Sequence, residues 1–211
     1  MVDRWDIEYT RGDWDYLRGF GEEVRYAALA GCITGRDRDS PKLVLDLGCG
    51  TAILREHLPQ ESLERYTGVD LSNEAVASAR LRGHERSTFI AASIDEWQPD
   101  RYYDTIVFNE VLYYLPQPLA TMSRYAAWVS EGGSIFVSMW YPAAFLSVRR
   151  PTRAKVIRAR LEYMRIWNEI NRRYEVVADL TVKRNRLQRW RIEELRVPPA
   201  VSGSAGPGGS G

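Results

Sequence analysis

The eight residues Val44-Leu45-Asp46-Leu47-Gly48-Cys49-Gly50-Thr51 constrain this chain more than any other segment. An apolar run carrying a carboxylate breaks into a Gly-x-Gly turn, and a helix-like stretch, residues 52–58, follows at once. Strand, tight turn and helix in that order open a parallel α/β unit. Two glycines at this spacing let backbone approach a ligand with no Cβ in the way, and a helix N-terminus adds unpaired N–H donors. Beyond the helix, the run Tyr66-Thr67-Gly68-Val69-Asp70 again ends on an acid. An acid closing the second strand of a βαβ unit is placed to accept hydrogen bonds from ribose hydroxyls. The two segments predict a nucleoside site.

The rest of the chain fits that frame. A length of 211 residues suits one domain with a full core. No apolar run reaches the roughly 20 residues of a membrane helix, and the N-terminal residues lack the shape of a secretory signal, so a cytoplasmic protein is expected. Cys32 and Cys49 lie far apart with no metal-type spacing, which predicts reduced thiols and no metal site. Charge is unevenly spread: residues 149–196 hold 15 Lys and Arg against 6 Asp and Glu. Such a region can attract an acidic acceptor, a carrier protein or nucleic acid, but solvated helix and strand faces are the favoured account of it.

Strand-like and helix-like segments alternate from residue 40 onward, which predicts a mostly parallel sheet covered on both faces. Strands are expected over residues 42–46, 65–70, 88–92, 104–109 and 134–140. Helices are expected over 72–82, with Ser72 as N-cap, and over 118–128, started by Pro118 and stopped at Glu131-Gly132-Gly133. Residues 143–170 read as helical, with Pro151 as a break. Residues 174–182 and 187–197 read as a hairpin. Residues 201–211 are Gly- and Ser-rich, a flexible tail by composition. Ahead of the sheet lies an aromatic segment, Trp5, Tyr9, Trp14, Tyr16, Phe20 and Tyr26, with a helix expected over 22–30 and closed by Gly31. The domain reading is an N-terminal helical segment over residues 1–35, which either folds over the site as a lid or only packs on the sheet, a catalytic domain over 36–198 and a tail over 199–211.

With these motifs in order, the chain resembles class I S-adenosylmethionine-dependent methyltransferases. VLDLGCGT resembles the family's first motif, GVDLS its ribose-binding acid, and FIAASID the segment beside the adenine. FNEVLYYL resembles the strand-four motif that faces the methyl group, and EGGSIFVS the turn into strand five. The resemblance implies an α/β, Rossmann-like fold: a seven-stranded, mostly parallel sheet with an antiparallel C-terminal hairpin and helices on both faces. It implies S-adenosyl-L-methionine as cofactor and S-adenosyl-L-homocysteine as product. Asp46, Gly48, Cys49 and Gly50 would surround the methionine end, Asp70 would hold the ribose, and Leu71 would lie against the adenine. Ser93, Ile94 and Asp95 would sit at the adenine amino group, although many relatives carry an acid where this chain has Ser93. Asn109 joins this set, and Tyr9 and Trp14 are the lid candidates. A nicotinamide-dinucleotide fold is disfavoured, because its fingerprint wants a third glycine where Ile53 stands, and Asp46 before the turn would repel a pyrophosphate.

The implied reaction is an in-line methyl displacement, for which an enzyme mainly aligns its reactants and excludes water. His57 and His84 read as structural or solvated. Glu110 and Tyr113 are the catalytic candidates, with Tyr114 beside them, because residues at the carboxyl ends of parallel strands face the ligand crevice. The sequence after strand four lacks the run that marks methyltransferases of nucleic-acid bases, so a small-molecule acceptor is expected, amine or hydroxyl, with nitrogen favoured. A nucleic-acid-directed methyltransferase and a non-catalytic cofactor-binding accessory protein are the alternatives. A monomer or homodimer is expected.

Overall fold

The computed structural model describes residues 4–35, 40–141, 150–185 and 188–198. Two helices, α1 (Arg4–Thr10) and α2 (Phe20–Thr34), precede the first strand and are separated by a short 3-10 turn, Asp15–Arg18. The strands are β1 (Lys42–Leu47), β2 (Leu63–Asp70), β3 (Ser87–Ala91), β4 (Tyr103–Asn109), β5 (Val129–Trp140), β6 (Glu175–Lys183) and β7 (Arg189–Arg196). Between them run α3 (Ile53–His57), α4 (Asn73–Leu81), α5 (Pro118–Ala126) and α6 (Arg150–Arg173). The strand order is β3-β2-β1-β4-β5-β7-β6. Strands β1 to β5 pair in parallel, and β7 inserts antiparallel between β5 and β6. This is the expected seven-stranded sheet with its terminal hairpin. No helix among the described residues is long and apolar enough to cross a membrane.

Side-chain alternation along the central strands divides the core in two. Val44, Tyr66, Val107 and Phe136 face the side covered by α2, α3 and α4, where Leu29, Ile33, Leu54 and Val76 meet them. Leu45, Ile106, Phe108, Ile135 and Val137 face the other side, under Tyr125 of α5 and Ile166, Trp167 and Ile170 of α6. Burial on both faces explains why these strands read as continuous apolar runs. Among the described residues of the N-terminal segment, α2 therefore supplies one wall of the main core.

Several boundaries differ from the sequence reading. Helix α2 does not stop at Gly31 but runs to Thr34, with Gly35 as C-cap in a right-handed conformation. A glycine ends a helix when it takes a left-handed conformation, and Gly31 is not among the positive-φ residues. Strand β5 begins at Val129, so Glu131-Gly132-Gly133 lies inside it. Its register jumps from Tyr103↔Val129 to Thr105↔Ser134, and the extra residues form a bulge in the strand. Pro151 is the second residue of α6, in the first turn, where a missing N–H costs no intrahelical bond. The expected helical residues 143–149 and the tail 199–211 lie outside the described residues.

Candidate active site

The two glycines of the first motif hold the turn open. Gly48 and Gly50 have φ of +76° and +53°, a region glycine adopts freely. A Cβ on Gly48 would lie 2.6 Å from Val111 Cγ2, and one on Gly50 would lie 2.7 Å from Tyr9 Oη. The turn is thus flanked by the segment after β4 and roofed by α1. Ala52, next in the turn, is also left-handed at φ +62° and fully buried, an uncommon state for a residue with a Cβ.

Asp70 ends β2 beside this turn. Its Oδ2 accepts from Gly50 N at 2.8 Å and its Oδ1 from Ser72 N at 2.9 Å. Burial raises its pKa, and the N–H groups of Ser72 and Gly50 oppose that shift. Gly68, two residues earlier, lets Cys49 pack against β2, since a Cβ there would meet Cys49 Sγ at 2.8 Å and Phe89 Cδ1 at 2.9 Å.

A cavity of about 890 Å³ opens at the carboxyl ends of β1, β2 and β4, the usual ligand crevice of an open α/β sheet. Gly48, Cys49, Gly50, Asp70, Leu71, Ser93, Ile94, Asp95, Asn109, Glu110 and Tyr113 all line it, as do Tyr9 and Trp14. Asp46 does not. Its carboxylate is buried and accepts the Tyr66 hydroxyl, with Oδ1 left unpartnered. Burial pushes it up to about 7 against the Tyr66 hydrogen bond, with Asp70 adding to the rise. The structure places Asp46 beneath the turn and not in the cavity wall. Asp95 is further engaged by the Thr121 hydroxyl at 2.7 Å. His57 stacks on Tyr26, its Nδ1 against Ile53 O at 3.0 Å, and His84 lies outside the cavity.

The N-terminal segment is fastened over this crevice at two points. Asp6 of α1 accepts from Ser72 Oγ at 2.7 Å and from Glu74 N at 3.3 Å, so it extends the N-terminal cap of α4. Its pKa falls, chiefly through the Ser72 hydrogen bond. Arg18 donates Nη1 to both Glu56 carboxylate oxygens at 3.0 Å and Nη2 to Thr51 Oγ1 at 2.9 Å. Trp14, between these ties, keeps its Nε1–H buried without an acceptor.

At the other end of the cavity, β4 delivers Asn109 and Glu110. Glu110 is left-handed at φ +58°, a strained state for a residue of its kind and one that concentrates at functional sites. Its Oε2 accepts the Tyr113 hydroxyl at 2.8 Å, while Oε1 is buried with no partner. Burial raises its pKa to about 7, against the pull of Arg25 and of the Tyr113 bond. Arg25, only 1% exposed, donates to Asn109 Oδ1 at 2.6 Å and to Glu22 Oε2 at 3.1 Å. Its guanidinium also lies 4.2 Å from the Tyr26 ring centre, a cation–π contact.

An aromatic belt completes this end. Trp140 and Tyr163 have ring centres 6.0 Å apart, Tyr163 and Tyr113 5.0 Å, Tyr113 and Tyr114 4.6 Å, and Tyr114 and Trp5 5.1 Å. The sequence reading missed Glu22, Arg25, Trp140, Tyr163 and the two ties Asp6 and Arg18. A single sequence carries no signal that brings α2 and α6 to the end of β4. The acid and base at spacing i, i+3 in α2, Glu22 and Arg25, look like any solvated helix pair.

The left-handed glycines, the Tyr9 roof and the acid aimed at the turn fit a nucleoside with an amino-acid tail. Comparison with known proteins agrees. The family model described as "Methyltransferase domain" matches residues 22–194. The ubiquinone biosynthesis O-methyltransferase of Vibrio vulnificus (strain YJ016) is 35% identical over 102 residues, which are 46% of this chain and 43% of that protein. The malonyl-[acyl-carrier protein] O-methyltransferase of Halalkalibacterium halodurans is 31% identical over 115 residues, 51% of this chain and 42% of that protein. The matched region spans less than half the length of these curated relatives. Among solved structures, the N-methyltransferase NodS of Bradyrhizobium japonicum WM9 in complex with S-adenosyl-L-homocysteine superposes with TM-score 0.65 at 18% identity, over 88% of this chain and 91% of that one. The plantazolicin methyltransferase BpumL superposes with TM-score 0.67 at 14% identity, over 92% of each chain. The glycine turn after β1, the acid that closes β2 beside it and the seven-stranded order agree with a family match that covers most of the sequence: the chain belongs to the methyltransferase-domain family, the class I S-adenosylmethionine-dependent methyltransferases.

Proposed function

We propose that this protein moves a methyl group from S-adenosylmethionine to a small-molecule acceptor, at nitrogen in preference to oxygen, with Glu110 at the accepting atom. The observation that carries this reading is the Glu110 carboxylate. It closes β4 inside the same cavity as the glycine turn, with one oxygen held by Tyr113 and the other buried and unpartnered. Bound S-adenosylmethionine supplies an electrophilic methyl, and its C–S electron pair stays on the departing sulfur as the acceptor's lone pair forms the new bond.

The residues divide the remaining work. The Gly48–Gly50 turn presents its backbone to the amino-acid tail, Asp70 accepts from the ribose hydroxyls, and Leu71, Ser93, Ile94 and Asp95 flank the base. Tyr9 and Trp14 close over the nucleoside as a lid, and that closure excludes water. Glu110 takes the proton that the acceptor loses, for which a pKa near neutrality is suited. Tyr113 fixes the rotamer of that carboxylate. Of the N-terminal segment, α1 and the turn Asp15–Arg18 act as the lid, whereas α2 is packed into the core of the catalytic domain.

A nucleic-acid acceptor is less well supported. The hairpin arginines Arg191 and Arg196 pair with Asp179 and Glu175 instead of presenting free charge. The test is calorimetric titration of S-adenosylhomocysteine into wild type and Asp70→Asn, followed by a methyl-transfer screen against amines and phenols. Saturable binding that is weakened at least tenfold in the variant, with turnover of an acceptor, is the expected result. Equal binding by the two proteins removes Asp70 from the site, and cofactor binding with no turnover of any acceptor favours an accessory protein.

A further inference from the structure

The acceptor end of the cavity has its own chemistry. Three formal charges meet there with little solvent: Glu22 and Glu110 against Arg25. Arg25 spends its donors on Glu22 and Asn109 and makes no hydrogen bond to Glu110. Glu110 accepts from the Tyr113 hydroxyl, the backbone of Trp140 also favours its ionised form, and its Oε1 is buried with no hydrogen-bond partner among the described residues. With Glu110 ionised the cluster is one positive charge short, and a buried carboxylate oxygen with no donor is costly until one arrives. Around it stand flat aromatic faces, Tyr113, Tyr163 and Trp140. Such faces stack on planar rings and attract cations.

We infer that the acceptor is a flat, ring-bearing amine that enters as the ammonium, donates to Glu110 Oε1 and stacks its ring on a face among the mutually tilted Tyr113, Tyr163 and Trp140 rings. This rests on the methyltransferase reading and deepens it. Before transfer, one N–H bond of the ammonium breaks and its proton passes to Oε1. The neutral amine then holds the lone pair that forms the N–CH3 bond, while the C–S pair remains on sulfur. An anionic acceptor meets the opposite situation, since its charge would face two carboxylates and an arginine whose hydrogen-bond donors go elsewhere. The same pocket therefore selects against carboxylates and phosphates, although the region after residue 149 is rich in basic residues.

The experiment uses the full chain loaded with S-adenosylhomocysteine, whose own binding is first measured by calorimetry. Tryptamine, the matched alcohol indole-3-ethanol and the matched acid indole-3-acetate are then titrated, with the corresponding phenethyl series as smaller probes. At least tenfold tighter binding of the amine than of the alcohol, with the acid weakest, is expected. In Glu110→Gln the amine should fall to the level of the alcohol, and Glu110→Asp should restore part of the preference. Equal binding of amine and alcohol, or tighter binding of the acid, overturns the inference. So does an amine preference that survives Glu110→Gln, which would place the negative charge elsewhere, and so does failure of every ring amine to bind a protein that does bind S-adenosylhomocysteine. If S-adenosylhomocysteine itself fails to bind, it is the cofactor reading that falls.

Discussion

Tyr113 donates its hydroxyl hydrogen to Oε2 of Glu110 at 2.8 Å, and in doing so leaves Oε1 of the same carboxylate as the buried oxygen with no donor. The bond orients the acid and fixes which of its oxygens is free. Tyr113 is three residues further along the chain, in the short 3-10 turn Leu112–Tyr114. The pair is therefore set locally, by the left-handed Glu110 and the turn that follows it.

Stability should report the protonation of Glu110. Its pKa rises from an ordinary 4.5 to about 7 in the fold, chiefly through burial. The folded chain then holds a proton that the unfolded chain releases, so this stabilisation is complete below pH 4.5 and is lost as pH rises through 7. The surrounding groups are Glu22, Arg25 and Tyr26 on α2, Tyr16, Tyr113, Tyr114 and Tyr163. Glu110→Gln should lose less stability than wild type between pH 5 and 8 in urea titrations, by about 1–3 kcal/mol. Asp46 and Glu193, also raised to about 7, keep part of the decline in both proteins. Parallel curves would show that Glu110 is ionised throughout.

Turnover gives the second readout for the same side chain. Glu110→Gln should lower kcat by about 100-fold or more, the range of a lost proton acceptor, with cofactor affinity little changed. Unaltered kcat would remove it from the chemistry.

The buried ion pair at the end of β4 makes a double-variant prediction. Arg25→Leu leaves Glu22 and Glu110 without a cation and should cost about 3–5 kcal/mol by chemical denaturation. Glu22→Leu added to it should recover a large part of that loss, because the pair is then replaced by apolar volume. Additive losses would mean that Arg25 acts through Asn109 and the Tyr26 ring instead.

Ala52 offers a stabilising change. A left-handed alanine costs about 1–2 kcal/mol, and its buried methyl returns about 0.8. Ala52→Gly should therefore raise Tm by up to about 4 °C, and Ala52→Val should lower it. A lower Tm in the glycine variant would show that the methyl outweighs the strain.

The fastenings of the N-terminal segment should control cofactor exchange. Asp6→Ala and Arg18→Ala each remove a tie at the rim and leave the sheet core untouched. Each should speed S-adenosylhomocysteine dissociation severalfold in stopped-flow experiments and change stability by less than about 1 kcal/mol. Unchanged dissociation would place the exchange route elsewhere.

The sheet was legible because its strands carry two signals at once, an apolar run and a terminal acid or glycine. Lys42–Leu47 and Leu63–Asp70 show both. The cavity wall formed by Gly48, Gly50 and Asp70 follows from the same residues. The end of the cavity beyond β4 was only half legible, because Glu110 and Tyr113 lie in a motif whereas Arg25, Trp140 and Tyr163 come from elements far away in sequence. Their aromatic and charged character has no period that distinguishes a cavity wall from a solvated surface. Asp46 reads as a ligand acid because it precedes the glycines, but strand pleating turns it into the core, where Tyr66 waits on the neighbouring strand. Gly31 reads as a helix stop, yet nothing lies within 4 Å of where its Cβ would be, so packing neither demands nor forbids the glycine, and α2 passes through it.

The roof over the glycine turn belongs to a different part of the chain from the floor. Tyr9 sits above Gly50, and the chain around it is tied to α4 through Asp6 and to the turn through Arg18. Under the proposed function, cofactor affinity is then the product of two quantities, the intrinsic fit of the nucleoside and the fraction of molecules whose roof is down. Substitutions that never touch the nucleoside can tighten or loosen its binding through the second quantity alone, and salt can do the same by screening the Arg18–Glu56 pair.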